Sequence, residues 1–234
     1  MTRSSGLDSL LAPSRRLLLL DFDGPVCSIF AGYTAPVIAS ELVSLVRQMT
    51  LIAPEYLAKE SDPLEVLRWV GANGAPTEVR TVEEALCAAE LQAVESAEAT
   101  PFAREVLVAA FDLGLRIAIV SNNSAGAIHA YLEKYQLDAY VSSIVGRAFA
   151  DPGLMKPNPA PIIQAVRSFA VEPADCVLIG DSIADIEGAH AAGVAVIGYA
   201  NRRHKATRFA AAGADVVVTS MEEIMQALIK RPPS

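Results

Sequence analysis

The sequence predicts an α/β protein, with a doubly wound parallel sheet and a small all-helical segment inserted after the first strand. Short apolar runs without polar alternation recur along the chain, as expected for strands covered on both faces. Helical patterns separate these runs, which indicates helices packed on both sides of a parallel sheet. Between residues 31 and 97 the alternation stops and only helical patterns occur.

Size and charge limit the classes of partner. The 234 residues are 52% hydrophobic, enough for one domain with a smaller insertion. The formal net charge is −8, and the basic stretch at 202–208 is expected to be the solvated start of a helix, so we predict no nucleic-acid partner. The apolar run at 17–20 is too short for a membrane span or a signal-peptide core. We therefore expect a cytoplasmic protein without a membrane partner.

The order of elements follows from the apolar runs and from glycines at expected helix ends. Residues 1–14 are expected to be a frayed leader. Strands are predicted at 15–22, 116–121, 176–181, 194–199 and 214–219. Helices of the sheet domain are predicted at 101–113, 124–136, 159–170, 183–192, 204–212 and 221–231. Gly114, Gly193 and Gly213 stand where three of these helices should end.

The inserted segment is predicted to contain three helices, at 35–49, 63–72 and 77–97. We assign residues 15–30 and 98–234 to the sheet domain and 31–97 to the helical segment. The chain is expected to cross between them at Gly24-Pro25 and Thr100-Pro101. Glutamates on the third helix and just after it are expected to form a solvated face: Glu83, Glu84, Glu90, Glu95 and Glu98.

Asp21 and Asp23 follow the first predicted strand in the tetrapeptide Asp21-Phe22-Asp23-Gly24. Residues two apart on a strand point to the same side, so both carboxylates can face one pocket. Two close carboxylates repel unless a cation or a proton intervenes. A magnesium ion on Asp21 and a proton on its partner would give a nucleophile and an acid. Gly24 lets the chain turn sharply beside a ligand. Two solvated aspartates at a strand end are the simpler interpretation.

Three further motifs stand near predicted strand ends. Ser121 and Asn122 open the run Ser-Asn-Asn-Ser, which can cap a helix or present a hydroxyl and N–H groups to a phosphate. Lys156 precedes Pro-Asn-Pro, a stiff segment from which an ammonium could reach phosphate oxygens, although a single lysine is usually exposed. Asp181 ends a strand and Asp185 lies one helical turn later, in a pattern that suits Mg²⁺ or a helix cap.

Taken together, LLLLDFDG, IVSNNS, MKPNP and VLIGDSIAD resemble the four motifs of the haloacid dehalogenase superfamily, and phosphoglycolate phosphatase-like members in particular. The match covers about 16–24 and 101–220, and the inserted segment resembles that family's helical cap. Family members commonly have Thr or Val where this chain has Pro25. That proline removes an N–H group and is expected to stiffen the crossing without abolishing catalysis.

The resemblance implies a phosphatase acting on a small phosphorylated metabolite, as a monomer or a homodimer. Asp21 would attack phosphorus to form an aspartyl-phosphate, and Asp23 would serve as acid and base. Ser121 and Lys156 would hold the transferring group, with Asn122 and Gly24 assisting in substrate binding.

The resemblance also implies a Mg²⁺ site. The carboxylates of Asp21 and Asp181 and the backbone carbonyl of Asp23 would bind the ion. Asp185 would support these ligands from behind.

Three other functions remain open. A haloacid dehalogenase would need no acid on the leaving group, so Asp23 argues against it, and it would work without metal. A phosphosugar mutase would share the aspartyl-phosphate but transfer the phosphoryl group to sugar. A non-catalytic binding protein of this fold would bind a ligand without turnover, and need not keep all four motifs.

Overall fold

The computed structural model describes residues 3–49 and 51–231. The strands are β1 Leu17–Leu20, β2 Cys27–Ser28, β3 Glu98–Ala99, β4 Arg116–Val120, β5 Ser143–Val145, β6 Cys176–Gly180, β7 Ala195–Tyr199 and β8 Val216–Val218. Six of them form a parallel sheet in the order β5-β4-β1-β6-β7-β8, and β2 and β3 form a separate two-stranded ribbon. The central strand β1 pairs in parallel with β4 and β6, so its carboxyl end lies between theirs.

Helices cover both faces of the sheet and form the inserted segment. They are α1 Arg3–Leu10, α2 Ala35–Val46, α3 Pro63–Asn73, α4 Pro76–Ala93, α5 Ala103–Asp112, α6 Ala125–Lys134, α7 Ala160–Ser168, α8 Ile183–Ala191, α9 Arg203–Ala211 and α10 Met221–Lys230. Short 3₁₀ helices lie at Glu55–Lys59, Val94–Ser96, Asp138–Tyr140, Pro152–Leu154 and Pro173–Asp175. None of the helices in 3–49 and 51–231 has the length and apolar character needed to cross a membrane.

The continuous apolar runs become strands because both of their faces are buried. Leu18 and Leu20 point to one face of the sheet, into a cluster with residues of α5, α6 and α10. Leu17 and Leu19 point to the opposite face, into a cluster with residues of α7, α8 and α9. All four leucines are fully buried, since a central parallel strand has no solvent-facing side.

The predicted α/β class and doubly wound parallel sheet are confirmed, with every predicted helix and strand present within a few residues of its expected ends. Gly114, Gly193 and Gly213 have positive φ angles of 73°, 73° and 90°, as expected of residues just after a helix.

Two predictions about the chain were wrong or incomplete. Residues 3–10 of the expected frayed leader form α1, because Leu7 and Leu11 bury against the cluster that holds α10. The strand β5 was missed, since its three residues lie at the sheet edge and are too few to make an apolar run.

The inserted helical segment has a hydrophobic cluster of its own. Ile38 and Leu42 of α2, Leu67 of α3 and Leu86 of α4 are buried in it, and Met155 enters from the sheet side. The two crossings are tied together by the β2–β3 ribbon, which was not predicted because each strand has two residues.

At the crossings themselves, Thr100 Oγ1 donates to the Gly24 carbonyl at 2.6 Å, and Thr100 N donates to the Val26 carbonyl at 3.1 Å. The exact domain bounds of 15–30, 31–97 and 98–234 stay a prediction.

We expect Leu19→Ala to lower the free energy of unfolding by about 2–5 kcal/mol, because it empties a fully buried site in the central strand. Urea denaturation measures the change. Leu91→Ala is the matched control, since Leu91 on α4 is 51% exposed and its loss should cost less than about 0.5 kcal/mol. Equal effects of the two variants would contradict the assignment of β1 as the core strand.

Candidate active site

The predicted motifs meet at the carboxyl edge of the sheet, where ligands bind in open α/β folds. Asp21 continues β1, its N–H donating to the Ile179 carbonyl of β6 at 2.9 Å. Ser121 follows β4, and Asp181 follows β6. A cavity of about 230 Å³ lies between this edge and the inserted segment. Its lining residues are Asp21, Asp23, Phe30, Asp62, Leu64, Glu65, Arg68, Ser121, Asn122, Asn123, Lys156, Asp181, Ser182 and Ala184.

Lys156 is a buried ammonium group held by two carboxylates, one directly after β1 and one in the first turn of α8. Its Nζ lies 2.9 Å from Asp21 Oδ1 and 2.5 Å from Asp185 Oδ1, and donates to the Val120 carbonyl at 2.8 Å. Burial lowers the pKa of Lys156, but Asp185 and Asp21 outweigh that effect and raise it overall. Lys156 therefore stays charged, contrary to the simpler interpretation of an exposed lysine.

Asp21 and Asp23 occupy different electrostatic environments. Burial and the Asp185 carboxylate raise the pKa of Asp21 to about 7, while the Lys156 ammonium opposes the shift. Burial raises the pKa of Asp23 to about 6, and the Ile29 N–H, which donates to Asp23 Oδ1 at 3.0 Å, opposes it. The raised pKa of Asp23 suits a carboxyl group that gives and takes a proton near neutral pH.

Ser121 and Asn122 lie beside Lys156. Ser121 is 3% exposed, and its Oγ accepts from Asn123 N at 3.3 Å. The Asn122 side chain forms two hydrogen bonds with the Lys156 backbone: Oδ1 accepts from N at 2.8 Å, and Nδ2 donates to O at 3.2 Å. Asn122 thus fixes the segment that carries the ammonium. The helix cap expected in this run is supplied by Ser124, whose side chain accepts from Ala127 N.

Gly24 gives the chain room to pass Asp181. Its φ angle is +110°, and a Cβ atom at this position would overlap the Asp181 carboxyl group. Asp181 in turn accepts from Lys205 Nζ at 2.6 Å and from Asn201 Nδ2 at 3.0 Å. Burial raises the pKa of Asp181, and Lys205 acts against that rise.

Asp185 is fully buried and uses both carboxylate oxygens. Oδ1 faces Lys156, while Oδ2 accepts from Ser182 N at 3.0 Å and from Ser182 Oγ at 2.6 Å. The Ser182 and Asp185 side chains form a capping box at the start of α8. The helix cap expected from the simpler interpretation of Asp185 is therefore present, and the same side chain also contacts Lys156 in the site.

The carboxylates fit a divalent cation. Asp21, Asp181 and Asp185 offer oxygen atoms that all lie within 4.8 Å of one another. These three carboxylates face two ammonium groups, those of Lys156 and Lys205, so negative charge is in excess. Oxygen donors with excess negative charge are the ligand set that Mg²⁺ prefers. Asp185 already satisfies both of its oxygens, which leaves Asp21 and Asp181 as the freer carboxylate donors.

The basic stretch at 202–208 was only partly understood from the sequence. Arg202, Arg203, His204 and Arg208 are exposed as expected, but Lys205 is not a solvated residue. It lies in the first turn of α9, next to the carboxyl end of β7, and so reaches Asp181. The position of a lysine one turn into a helix that follows a strand end is the signal that could have identified it.

The prediction of a solvated glutamate face was wrong for Glu83 and Glu90, which are 1% and 0% exposed. Both bind Arg147, which follows β5, with nitrogen–oxygen distances of 2.8 Å. Burial lowers the pKa of Arg147, but Glu90 and Glu83 raise it overall. Glu84, Glu95 and Glu98 are exposed as expected. Because β5 was missed, nothing in the sequence pattern placed Arg147 beside this helix.

Among the cations of the inserted segment, Arg68 lines the cavity and donates to the Lys156 carbonyl at 2.8 Å. Lys59 pairs instead with Glu55 on the exposed side, 3.7 Å away. Arg68 also pairs with Glu65 at 3.2 Å, and Asp62 stands on the same wall.

The family is identified by comparison with known proteins. Residues 67–199, more than half of the chain, match the haloacid dehalogenase-like hydrolase family. The chain belongs to this family, and the resemblance stated from its motifs is confirmed.

Curated relatives are phosphoglycolate phosphatases. The chain is 33% identical to one from Haemophilus influenzae over 98 residues, which cover 42% of this chain and 43% of that protein. It is 27% identical to one from Pectobacterium atrosepticum over 193 residues, covering 78% and 79%. The chain thus spans less than half of the length of the Haemophilus relative.

A solved structure shows the same fold. A predicted phosphatase from Clostridium acetobutylicum superposes with a TM-score of 0.73 at 18% identity, over 92% of this chain and 99% of that one.

We expect Gly24→Ala to weaken Mg²⁺ binding at least about tenfold, because the methyl group would displace the Asp181 carboxylate and the left-handed φ disfavours alanine. Isothermal titration of Mg²⁺ measures the change. Gly126→Ala is the control, since a Cβ there meets nothing within 4 Å. Unchanged Mg²⁺ affinity in Gly24→Ala would show that Asp181 is not held by this close approach.

Proposed function

We propose that the protein is a Mg²⁺-dependent phosphatase that hydrolyses a small phosphorylated metabolite through an aspartyl-phosphate on Asp21. The observation that carries the proposal is the convergence of Asp21, Asp23, Ser121, Lys156 and Asp181 on one cavity at the carboxyl edge of the sheet. The curated relatives support the phosphatase class. We further propose that the protein acts in the cytoplasm as a monomer or homodimer. In this proposal residues 15–30 and 98–234 form the catalytic core, and residues 31–97 form the cap.

In the first step an oxygen of Asp21 attacks phosphorus, and the bond from phosphorus to the ester oxygen breaks. Asp23 gives its proton to that leaving oxygen, for which its raised pKa of about 6 is suited. The Lys156 ammonium, 2.9 Å from Asp21, offsets negative charge on the transferring group. We assign Ser121 Oγ and the Asn122 N–H as the remaining hydrogen-bond donors to the transferring phosphoryl group.

In the second step water attacks the aspartyl-phosphate. Asp23, now a carboxylate, takes the proton of that water, and the bond between phosphorus and Asp21 breaks. Inorganic phosphate leaves, and both aspartates return to their starting states. Covalent catalysis of this kind divides one difficult displacement into two easier ones.

Mg²⁺ would be held by the carboxylates of Asp21 and Asp181 and the backbone carbonyl of Asp23, and would supply charge neutralisation at the phosphoryl oxygens. Asp185 would act through its neighbours, because it orients Lys156 and the start of α8. Gly24 would serve substrate binding through Asp181, whose carboxyl group a Cβ atom at this position would overlap.

The wall of the cavity formed by the inserted segment supports a small polar leaving group. Asp62, Glu65 and Arg68 face the site from α3 and its start, with Phe30 at the crossing. The cavity of about 230 Å³ suits a metabolite better than a macromolecule. Phosphoglycolate, the substrate in the names of the relatives, is one candidate of suitable size.

We expect Asp21→Asn to abolish phosphate release from p-nitrophenyl phosphate and from a panel of phosphorylated metabolites. The amide is a poor nucleophile, and the expected loss exceeds about 10³-fold. Wild-type activity should require Mg²⁺ and vanish with a chelator. Asp138→Asn, an exposed aspartate remote from the cavity, should keep full activity.

If the wild type released no phosphate from any compound of the panel, the phosphatase proposal would be overturned. Ligand binding without turnover would then favour a binding protein. Halide release from a 2-haloacid that survives chelation, without phosphate release from the panel, would identify a dehalogenase. Transfer of the phosphoryl group to sugar would identify a mutase.

We expect Asp23→Asn to separate the two chemical steps. Nitrophenolate leaves without a proton, so the first step with p-nitrophenyl phosphate should persist, while hydrolysis of the intermediate slows by about 10²–10⁴-fold. Rapid-quench kinetics should then show a burst of about one nitrophenolate per site, which is the kinetic sign of an accumulating covalent intermediate. A steady-state rate equal to that of the wild type would remove Asp23 from the mechanism.

A further inference from the structure

A buried ionic cluster lies outside the residues to which the proposed chemistry gives a role. We call it the Arg147 cluster: Arg147 with Glu83 and Glu90 of α4. Arg147 Nε donates to Glu83 Oε1 at 2.8 Å, and Nη1 and Nη2 donate to Glu90 Oε1 and Oε2 at 2.8 and 3.2 Å. All three side chains are at most 1% exposed.

Glu90 also binds the loop 121–124, which carries Ser121. Ser124 N donates to Glu90 Oε2 at 2.9 Å, and Asn123 Nδ2 donates to Oε1 at 3.3 Å. Asn123 in turn contacts the Ser121 hydroxyl through N and Oδ1, at 3.3 and 3.2 Å. A carboxylate from the inserted segment is therefore one residue removed from the proposed phosphate-binding hydroxyl.

Arg147 reaches the same loop from the sheet side. Its Nη1 donates to the Asn122 carbonyl at 2.6 Å, and its backbone N donates to the Asn123 carbonyl at 2.9 Å. The guanidinium and the Glu90 carboxylate together bind backbone or side-chain groups of Asn122, Asn123 and Ser124. A buried arginine hydrogen-bonded to two carboxylates keeps its donors in fixed directions, because guanidinium geometry is planar.

Glu83 differs from Glu90 in one respect. It shares Arg147 and lies on the same helix, but its further hydrogen-bond partner is Cys87 Sγ at 3.3 Å. Within residues 3–49 and 51–231 it has no hydrogen bond to the loop 121–124. A comparison of the two glutamates therefore distinguishes the effect of the loop contact, which only Glu90 makes, from the effect of a buried negative charge, which both carry.

We propose that Glu90, fixed by Arg147, is a positioning residue that holds the loop 121–124 in the geometry needed to bind the phosphoryl group. This inference rests on the proposed phosphatase function. Glu90 touches no reacting atom and acts through Asn123 and Ser124. Catalytic donors must stand within a fraction of an ångström of their place, so release of the loop would weaken phosphate binding and slow phosphoryl transfer together.

The test compares Glu90→Gln with Glu83→Gln. Both remove one charge from the same helix and the same arginine, and both keep the side-chain shape. In Glu90→Gln an NH₂ group faces either Ser124 N or the donors of Asn123 and Arg147, so one loop contact must break. We expect kcat/KM for p-nitrophenyl phosphate to fall about 10- to 100-fold, and the inhibition constant of inorganic phosphate to rise. Glu83→Gln should stay within about threefold of the wild type.

Hydrogen exchange gives a readout independent of activity. Peptides that contain the amide of Ser124 should exchange faster in Glu90→Gln than in Glu83→Gln, with the two variants alike elsewhere. Thermal unfolding establishes that both variants are folded. If Glu90→Gln does not fold, Glu90→Asp replaces it, since this variant keeps the charge and withdraws it from Ser124 N by one methylene.

Equal exchange rates and equal phosphate inhibition in the two variants would overturn the positioning role. Failure of the proposed function has a different outcome. A wild type that neither hydrolyses nor binds phosphate would reject phosphatase activity, and the exchange comparison would still decide whether Glu90 holds the loop.

Discussion

The site depends on one buried cation, the Lys156 ammonium. Asp21, directly after β1, and Asp185, in the first turn of α8, both contact the Lys156 ammonium, which lies between them. Like-charged carboxylates in a dry interior would otherwise take up protons or separate. Its third partner, the Val120 carbonyl at the end of β4, ties the same ammonium to the strand that leads to Ser121. One charge thereby connects the ends of β1 and β4 with the start of α8.

The backbone of Lys156 is held by two further side chains that line the cavity. Asn122 holds its backbone N and O, and Arg68 of the inserted segment binds the same carbonyl. Such supporting contacts determine where a catalytic group stands, since a long side chain alone would be free to adopt several rotamers. The site is therefore built jointly by the sheet edge and by the inserted segment.

The sequence predicted those parts of the structure that depend on local pattern. Leu17 to Leu20 indicate a buried strand because all four side chains are apolar, and Asp21 and Asp23 mark its end. Contacts between segments that are distant in the sequence could not be predicted from local pattern. Glu90 resembled a solvated residue on a glutamate-rich helix, and only the position of Arg147 after the short edge strand β5 explains its burial. Lys205 was misread for the same reason, because its partner Asp181 lies 24 residues away in the chain.

The helix α4 joins two hydrophobic interiors as well as the Arg147 cluster. Leu86 packs among the inserted helices, whereas Ala93 packs with the sheet. The inserted segment is consequently not an interchangeable module. A chimaera that received residues 31–97 from another protein without carboxylates at the positions of Glu83 and Glu90 would leave the Arg147 guanidinium buried and unpaired. An inserted segment with a new leaving-group pocket must therefore still supply carboxylates that pair with Arg147 of the sheet domain.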